Sequence, residues 1–201
     1  MSTVEFIFDF GSPNAYFTNA VLPGIAAKHG AKVDIKPILL GGLFKITNNK
    51  APWAAYQGVK GKLEYEMLEI QRFIEKHGLS KYKLNPNFPV NTVTLMRGAL
   101  VAQEDGFLDD YVVAGLKMMW EDGLAMADKE VFVQAMTEAG FDGADILARA
   151  ETPEIKQKLI DCTQAAADRG VFGVPTFFVG SEMFFGKDRL GQVEEALAAR
   201  T

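Results

Sequence analysis

The sequence predicts an α/β fold whose small sheet is built from both ends of the chain, with a block of helices between them. Residues 4–8 and 33–39 are short, apolar and β-rich, and helical spacing separates them. This order is a βαβ unit, which brings the two strands together in parallel. Strand character returns only near the other end of the chain, at residues 176–179 and 183–185.

The first βαβ unit has clear boundaries. Residues 4–8 are apolar on both faces toward their end, as is typical of a central strand. The helical pattern that follows begins after Pro13 and ends at Gly30, a residue that suits the left-handed backbone beyond a helix. Because Pro37 has no N–H, we expect the second strand at the edge of the sheet.

The middle of the chain carries helical periodicity without a strand pattern. Amphipathic spacing predicts helices at residues 64–77, 92–103, 109–121, 128–139 and 144–150. Gly, Asn and Pro fill the gaps between them. We therefore predict a core domain made of residues 1–40 and 151–201 and an all-helical insertion domain made of residues 41–150, which contributes to the substrate pocket.

The last quarter of the chain returns to the core. Thr152 followed by Pro153 is a favourable helix start, with Thr as the N-cap. After the third strand, Ser181 and Glu182 form the tight connection of a predicted hairpin. Asp188 begins the last helical pattern.

Composition excludes several classes of function. The chain has 201 residues, of which 48% are apolar, enough for a substantial core. Its net charge of −5 leaves no basic surface for nucleic acid. Cys162 is the one cysteine, so no intrachain disulfide forms and a reducing compartment is expected. Because the sequence has neither a signal-peptide pattern nor an apolar run of about 18 residues, we expect a cytoplasmic protein without a membrane span.

Two segments carry the predicted chemistry. Ser12-Pro13-Asn14-Ala15 follows the first strand, and Val174-Pro175-Thr176 precedes the third. This pairing is typical of a thioredoxin-like core, which sets a reactive group at the start of its first helix, opposite a cis-proline. Redox members carry Cys-x-x-Cys at the first segment, whereas this chain has Ser12 and Ala15 at those positions. It therefore has no dithiol there, and a thiol reaction needs a thiol from outside.

Ser12 by itself is more typical of a simple helix N-cap than of a reactive group. Its pairing with Val174 and Pro175 favours a functional site, because a helix N-terminus and a hydroxyl lower the pKa of a nearby thiol from about 8.5. The backbone before a cis-proline can also pair with an extended peptide such as glutathione.

Five segments match the pattern of one family, in its order and over nearly the whole chain. They are residues 9–16, 41–50, 85–89, 170–177 and 184–190. Together they resemble the 2-hydroxychromene-2-carboxylate isomerases, relatives of kappa-class glutathione transferases in the DsbA-like thioredoxin superfamily. The resemblance implies a thioredoxin-like core with a helical insertion, glutathione as the cofactor and a homodimer. It implies an isomerase of aromatic catabolites that interconverts 2-hydroxychromene-2-carboxylate and trans-o-hydroxybenzylidenepyruvate.

The resemblance also implies roles for single residues. Ser12 matches the serine that contacts and activates the glutathione sulfur. Asn49 matches an asparagine that holds glutathione at the end of a Gly-Gly loop. Val174, directly before Pro175, matches the residue whose backbone pairs with the cysteinyl unit.

The γ-glutamyl end of glutathione has its own implied contacts. Lys187 and Asp188 match the positions that bind it. A carboxylate facing the γ-glutamyl ammonium makes a charge-assisted contact, so we favour Asp188. Lys187 stands where relatives commonly carry Ser, Asn or Gln, and its ammonium either pairs with the glutamyl carboxylate or points to solvent. Lys62 is a further candidate for the same site.

Other conspicuous side chains are interpreted as structural. Cys162 falls on the apolar stripe of its helix, and His29 and His77 precede Gly at helix ends. These residues indicate neither a Ser-His-acid triad nor a metal site. Six apolar side chains either line a substrate cavity or simply pack: Trp53, Tyr56, Phe88, Met118, Met119 and Trp120.

Two alternatives to the isomerase stay open. A kappa-like transferase or peroxidase would use the same thiolate and consume the glutathione. A non-enzymatic protein of thioredoxin fold would bind a peptide or a partner near Pro175 and would not bind glutathione.

Overall fold

The computed structural model describes residues 2–200, and a four-stranded mixed sheet forms its centre. The strands are β1 (Thr3–Phe8), β2 (Lys32–Pro37), β3 (Thr176–Val179) and β4 (Glu182–Phe185). Their order across the sheet is β2-β1-β3-β4, with β2 parallel to β1 and the other two pairs antiparallel. The two ends of the chain therefore meet between β1 and β3, and the predicted α/β core is confirmed.

Ten α-helices accompany the sheet in the described residues. They are α1 (Pro13–Lys28), α2 (Leu40–Thr47), α3 (Pro52–Ala55), α4 (Lys62–His77), α5 (Val93–Asp105), α6 (Leu108–Trp120), α7 (Lys129–Glu138), α8 (Gly143–Ala150), α9 (Pro153–Asp168) and α10 (Leu190–Ala198). The regular elements between β2 and α9 are all helices, as expected of the insertion. The division of the chain into two domains stays a prediction. Within residues 2–200, none of the helices has the length and hydropathy to span a membrane.

β1 is the central strand, as predicted from its two apolar faces. Its Phe6 pairs with Ile35 of β2 on one side and with Phe177 of β3 on the other. All three side chains are buried, and each contributes about 1.5–3 kcal/mol relative to exposure. Pro37 ends β2 at the edge of the sheet, where its missing N–H interrupts no ladder.

The insertion packs on the core through aromatic rings at the end of β1. The Phe10 ring lies 4.6 Å from that of Phe8 and 5.9 Å from that of Tyr111. The Trp120 indole N–H donates a 2.9 Å hydrogen bond to the Phe10 carbonyl. Gly115 of α6 leaves space for the Phe10 ring, since a Cβ at Gly115 would lie 2.4 Å from that ring. Helix α6 therefore holds the turn that follows β1.

Helix α2 is absent from the sequence prediction, which places Gly41 and Gly42 in a loop. Leu39, its N-cap, has no side-chain group for capping. The first N–H groups are bound by distant side chains instead: Leu40 donates to Asp9 at 2.7 Å, and Leu39 donates to Thr163 at 2.9 Å. A local pattern cannot reveal caps that lie 31 and 124 residues away.

The hairpin turn between β3 and β4 and the start of the last helix each differ from the sequence prediction by a residue or more. Gly180, with φ of +61°, and Ser181 form the hairpin connection, and Glu182 is already paired with Val179. A 3-10 turn at Lys187–Arg189 precedes α10, so the residue predicted to begin the last helix lies inside this turn.

Candidate active site

Ser12 caps the N-terminus of α1 and is buried. Its Oγ accepts a hydrogen bond from the Ala15 N–H at 3.4 Å and donates one to the Val174 carbonyl, also at 3.4 Å. Both distances are at the long end of the hydrogen-bond range. The hydroxyl can therefore turn toward a ligand without losing a strong contact.

The first turn of α1 leaves one backbone donor unused. Pro13 has no N–H, and the N–H groups of Ala15 and Tyr16 donate to the Ser12 carbonyl at 3.0 and 3.4 Å. The Asn14 N–H has no acceptor among the described residues. Together with the dipole of α1, this free donor favours negative charge beside Ser12.

The segment before β3 lies against Ser12, as predicted. The peptide between Val174 and Pro175 is cis. Within residues 2–200, the Val174 N–H has no hydrogen-bond acceptor, and the Val174 carbonyl accepts only from the Ser12 hydroxyl. The Val174 N–H is thus a backbone donor left unused in residues 2–200, and an extended peptide could pair with it.

Asp9 joins three parts of the site, although the sequence pattern indicates only a turn there. Its fully buried carboxylate accepts hydrogen bonds from the Gly11 N–H and the Thr92 hydroxyl, both at 2.8 Å, and from the Leu40 N–H at 2.7 Å. Burial raises the pKa of Asp9, and these hydrogen bonds lower it in part. An acidic residue between Phe8 and Phe10, at the end of an apolar strand, is the signal that could have revealed it.

Asn49 is tied to the cis-proline segment. Its side-chain N–H donates to the Phe172 carbonyl at 2.8 Å, two residues before Val174. Its side-chain oxygen accepts from the Lys50 N–H, also at 2.8 Å. Helix α2 ends at Thr47, and its C-cap Asn48 has a left-handed φ of 53°. Asn49 therefore follows a helix and not the predicted Gly-Gly loop.

The 3-10 turn after β4 brings Lys187 and Asp188 toward the same segment. The Gly186 N–H donates to the Pro175 carbonyl at 2.9 Å. The Lys187 side chain is only 4% exposed, and its ammonium lies 2.8 Å from an Asp188 oxygen and 5.5 Å from the centre of the Phe73 ring. Asp188 is the exposed member of the pair, at 65%.

Lys62 lies at the start of α4 and contacts other residues of the insertion. Its ammonium hydrogen-bonds the Glu66 carboxylate and lies 5.0 Å from the centre of the Tyr56 ring and 5.9 Å from that of Tyr65. The Glu66 hydrogen bond raises the pKa of Lys62. In the described part of the chain no contact joins Lys62 to Ser12, so its membership of the site stays a prediction.

Cys162 and the two histidines have the structural surroundings expected of them. Cys162 is half-buried against the core, and burial raises the pKa of its thiol. The His29 ring lies 3.5 Å from Glu194, whereas the His77 ring packs against that of Phe73 with 4.3 Å between ring centres and a tilt of 40°. Residues 2–200 contain no group of three or more His, Cys, Asp and Glu side chains that could hold a metal.

The six candidate cavity residues divide between core and surface. Met119 and Trp120 are fully buried, Met118 is nearly so, and Phe88 packs on the Trp120 ring. Trp53, by contrast, is 49% exposed on α3. Ordinary packing therefore explains Met119 and Trp120, whereas a role of Trp53 in the substrate cavity stays a prediction.

Tyr16 is a nearly buried polar residue close to Ser12 in sequence, and the sequence analysis does not single it out. It lies one turn after Ser12, on the same face of α1. Its hydroxyl donates a 3.0 Å hydrogen bond to Glu121. Burial, with a further contribution from Glu121, raises the pKa of Tyr16, so the phenol stays protonated at neutral pH.

The mixed sheet, the cis-proline and the helix N-terminus opposite it define a protein of thioredoxin type with a serine in the reactive position. The chain belongs to the family of DSBA-like thioredoxin domains, whose family model matches residues 3–198. It is 28% identical to a 2-hydroxychromene-2-carboxylate isomerase of Pseudomonas putida, over 96% of this chain and 93% of that protein. It is 27% identical to glutathione S-transferase kappa 1 of Rattus norvegicus, over 93% of this chain and 87% of that protein.

Solved structures give the same result. A solved structure of a 2-hydroxychromene-2-carboxylate isomerase superposes with a TM-score of 0.85 at 27% identity, over 98% of this chain and 95% of that one. The predicted thioredoxin-like core with a helical insertion is confirmed. The predicted resemblance to the isomerases is confirmed too, and with it the prediction of an isomerase-like enzyme.

Proposed function

We propose that this protein is a glutathione-dependent isomerase that interconverts 2-hydroxychromene-2-carboxylate-like aromatic compounds and trans-o-hydroxybenzylidenepyruvate. The observation that carries the proposal is the Ser12 hydroxyl 3.4 Å from the otherwise unpaired Val174 backbone. Three curated isomerases with 26–28% identity support the reaction class. An aromatic carboxylate substrate, a homodimer and a cytoplasmic location belong to the same proposal.

The residues present fit glutathione as the cofactor. The free N–H and the carbonyl of Val174 match the backbone of a cysteinyl unit. When bound, glutathione would supply a thiolate nucleophile that is recovered at the end of the reaction.

Ser12 and Asn14 would stabilise that negative charge. The Ser12 hydroxyl would turn from the Val174 carbonyl to donate to the sulfur, and the free Asn14 N–H would add a backbone donor at the positive end of α1. Ala15 stands where a resolving cysteine would attack, so the chain itself cannot drive disulfide exchange at this position. The site therefore stabilises an external thiolate and leaves it available for the substrate.

The other predicted residues would orient the cofactor. Asn49 holds the Phe172 end of the cis-proline segment, and the turn with Lys187 and Asp188 is bonded to Pro175 through Gly186. We assign Lys62 to the same cofactor site, from the insertion. Orientation of this kind contributes to the rate because the reacting groups need not find each other in solution.

Calorimetric titration of the protein with reduced glutathione tests the cofactor, and an assay with 2-hydroxychromene-2-carboxylate tests the reaction. We expect saturable binding and a product that appears only when glutathione is present. At about 10 mM glutathione, a site with a Kd of about 0.1 mM raises the free energy of unfolding by about 2.7 kcal/mol. Absence of both heat and thermal stabilisation would rule out the glutathione site.

A kappa-like transferase or peroxidase is the second candidate, because two kappa 1 glutathione S-transferases are also similar over most of the chain. The two functions differ in the fate of the thiol. An isomerase returns its glutathione, so free thiol stays constant while product accumulates. A loss of one free thiol per product with an electrophilic acceptor would favour the transferase.

A further inference from the structure

The end of helix α6 binds the chain on both sides of Ser12. Before Ser12, the Phe10 carbonyl accepts a 2.9 Å hydrogen bond from the Trp120 indole. After it, the Tyr16 hydroxyl donates a 3.0 Å hydrogen bond to the Glu121 carboxylate. Trp120 is the last residue of α6, and Glu121 is its C-cap. Two neighbouring residues therefore hold the turn between β1 and α1 at two points.

Aromatic rings surround these two hydrogen bonds. The Tyr82 ring lies 5.8 Å from the Tyr16 ring and 6.1 Å from the Trp120 ring, between ring centres. Trp120 is fully buried, and Tyr16 is only 8% exposed. Since little water reaches them, the loss of either hydrogen bond would not be made good by solvent.

The end of α6 is itself fixed by Asn85, which is 2% exposed. The Asn85 side-chain N–H groups donate to the carbonyls of Met119 and Leu124, at 2.9 and 3.0 Å. Its side-chain oxygen accepts from the Asn87 N–H at 2.8 Å. Asn85 thus satisfies a carbonyl that the end of a helix leaves open. The segment of residues 85–89, which carries part of the family resemblance, therefore holds the helix end that contacts the Ser12 turn.

Ser12 has no strong contact of its own that would fix the direction of its hydroxyl. Both of its side-chain hydrogen bonds are 3.4 Å long, whereas the contacts of Phe10 and Tyr16 with α6 measure 2.9 and 3.0 Å. Short hydrogen bonds restrain the atoms that they join more than long ones do. The contacts on either side of Ser12 therefore set its position.

We propose that Tyr16 is a positioning residue, whose hydrogen bond to Glu121 sets the direction in which the Ser12 hydroxyl meets the sulfur of the cofactor. The inference rests on the proposed glutathione function. Tyr16 needs no contact with the cofactor in this role, because it acts through the first turn of α1. A displacement of about 1 Å in a reacting group can lower a rate by about a hundredfold, so one contact of this kind has a measurable effect.

Tyr16→Phe tests the role, because it removes the hydroxyl and keeps the ring. With 2-hydroxychromene-2-carboxylate and saturating glutathione at neutral pH, we expect kcat to fall about tenfold. The Kd of glutathione should change by less than about twofold, since the Val174 backbone is left intact. Tyr111→Phe is the matched control: its buried hydroxyl donates to the Leu95 carbonyl, also at 3.0 Å, and kcat should be unchanged.

A double-mutant cycle shows whether Tyr16 acts through Ser12. In a Ser12→Ala protein there is no hydroxyl left to direct, so adding Tyr16→Phe should lower kcat by less than about a further twofold. A merely structural contact would lower the stability of the protein without coupling to Ser12. If the two losses in kcat multiply, Tyr16 acts independently of Ser12, and the inference is overturned.

Two variants of the partner keep the test valid if Tyr16→Phe does not fold. Glu121→Gln retains an oxygen that accepts from Tyr16, whereas Glu121→Met has a similar length and no such oxygen. We expect Glu121→Gln to keep kcat within about threefold of wild type and Glu121→Met to lose about tenfold. Equal losses in both would assign the effect to the charge of Glu121 and overturn the inference.

The wild-type assay separates this inference from the function on which it rests. An active wild type together with unchanged kcat in Tyr16→Phe or Glu121→Met would overturn the positioning role and leave the proposed function intact. A wild type without glutathione-dependent turnover would remove both.

Discussion

The Asp9 carboxylate accepts a 2.7 Å hydrogen bond from the Leu40 N–H, and this contact joins the end of β1 to the start of α2. The same carboxylate binds the Thr92 hydroxyl at the start of α5 and the Gly11 N–H beside Ser12. One buried side chain therefore sets the positions of the reactive turn, of the helix that leads to Asn49 and of the insertion.

Replacing Asp9 by Asn should destabilise the protein. An amide has one acceptor oxygen where the carboxylate has two, so at least one buried donor loses its partner. We expect a loss of about 1–3 kcal/mol in the free energy of unfolding, measured by urea denaturation. Asp34→Asn is the control: its side chain is 42% exposed and forms a surface ion pair with Lys36, so a change below about 0.5 kcal/mol is expected.

The raised pKa of Asp9 also gives a pH dependence. The ordinary pKa of an Asp side chain is 3.8, and that of Asp9 in the folded protein is higher. At pH values between these two, the folded state holds the proton more tightly than the unfolded state. This contribution to stability is complete below the ordinary pKa and is lost as pH rises through the folded pKa. The stability advantage of wild type over Asp9→Asn should therefore shrink as pH rises through this interval. An advantage that grows with pH would mean a lowered pKa.

Ser12→Ala should move the acid limb of the kcat/KM profile to higher pH. The variant removes the hydroxyl that stabilises the thiolate, and a shift of one pKa unit costs about tenfold in thiolate at pH values below the pKa. Initial rates measured between about pH 6 and about pH 9 test this, because that range extends to about the pKa of a free thiol. Wild type and variant should converge at the alkaline end, and superimposable profiles would contradict the role assigned to Ser12.

Thr163→Val should weaken the start of α2. The buried Thr163 hydroxyl accepts from the Leu39 N–H at 2.9 Å and donates to the Leu159 carbonyl at 2.7 Å. Since valine keeps the shape but leaves the Leu39 N–H unpaired, we expect a loss of about 1–3 kcal/mol in thermal or urea unfolding. Thr137→Val is the matched control, because the exposed Thr137 hydroxyl donates to the Val133 carbonyl within α7. It should change stability by less than about 0.5 kcal/mol.

Gly115→Ala and Gly191→Ala should have opposite effects on stability. A Cβ on Gly115 would lie 2.4 Å from the Phe10 ring, so the ring or α6 must shift, at a cost of about 1–3 kcal/mol. A Cβ on Gly191 in α10 meets nothing within 4 Å, and alanine there should add up to about 1 kcal/mol. Urea unfolding of both variants measures the difference, and equal shifts would show that the Phe10 contact relaxes freely.

Elements with local signals could be predicted from the sequence. Thr152 caps α9 through its own side chain, Ser12 does the same for α1, and both helices begin where expected. Helix α2 has no local signal, because Asp9 and Thr163 supply its caps from elsewhere in the chain. The resemblance marked Lys187, but neither its burial nor its bond to Asp188 follows from sequence, since both depend on how the last turn packs against α1 and α4.

The burial of Cys162 has a practical consequence for spectroscopy. It is the one thiol of the chain, and because its pKa is raised it remains protonated at neutral pH. A protonated thiol does not give the ultraviolet absorption band of a thiolate. The wild-type protein alone therefore has no thiolate absorption. Any thiolate band that appears on adding a thiol comes from the sulfur of the ligand and measures its ionisation.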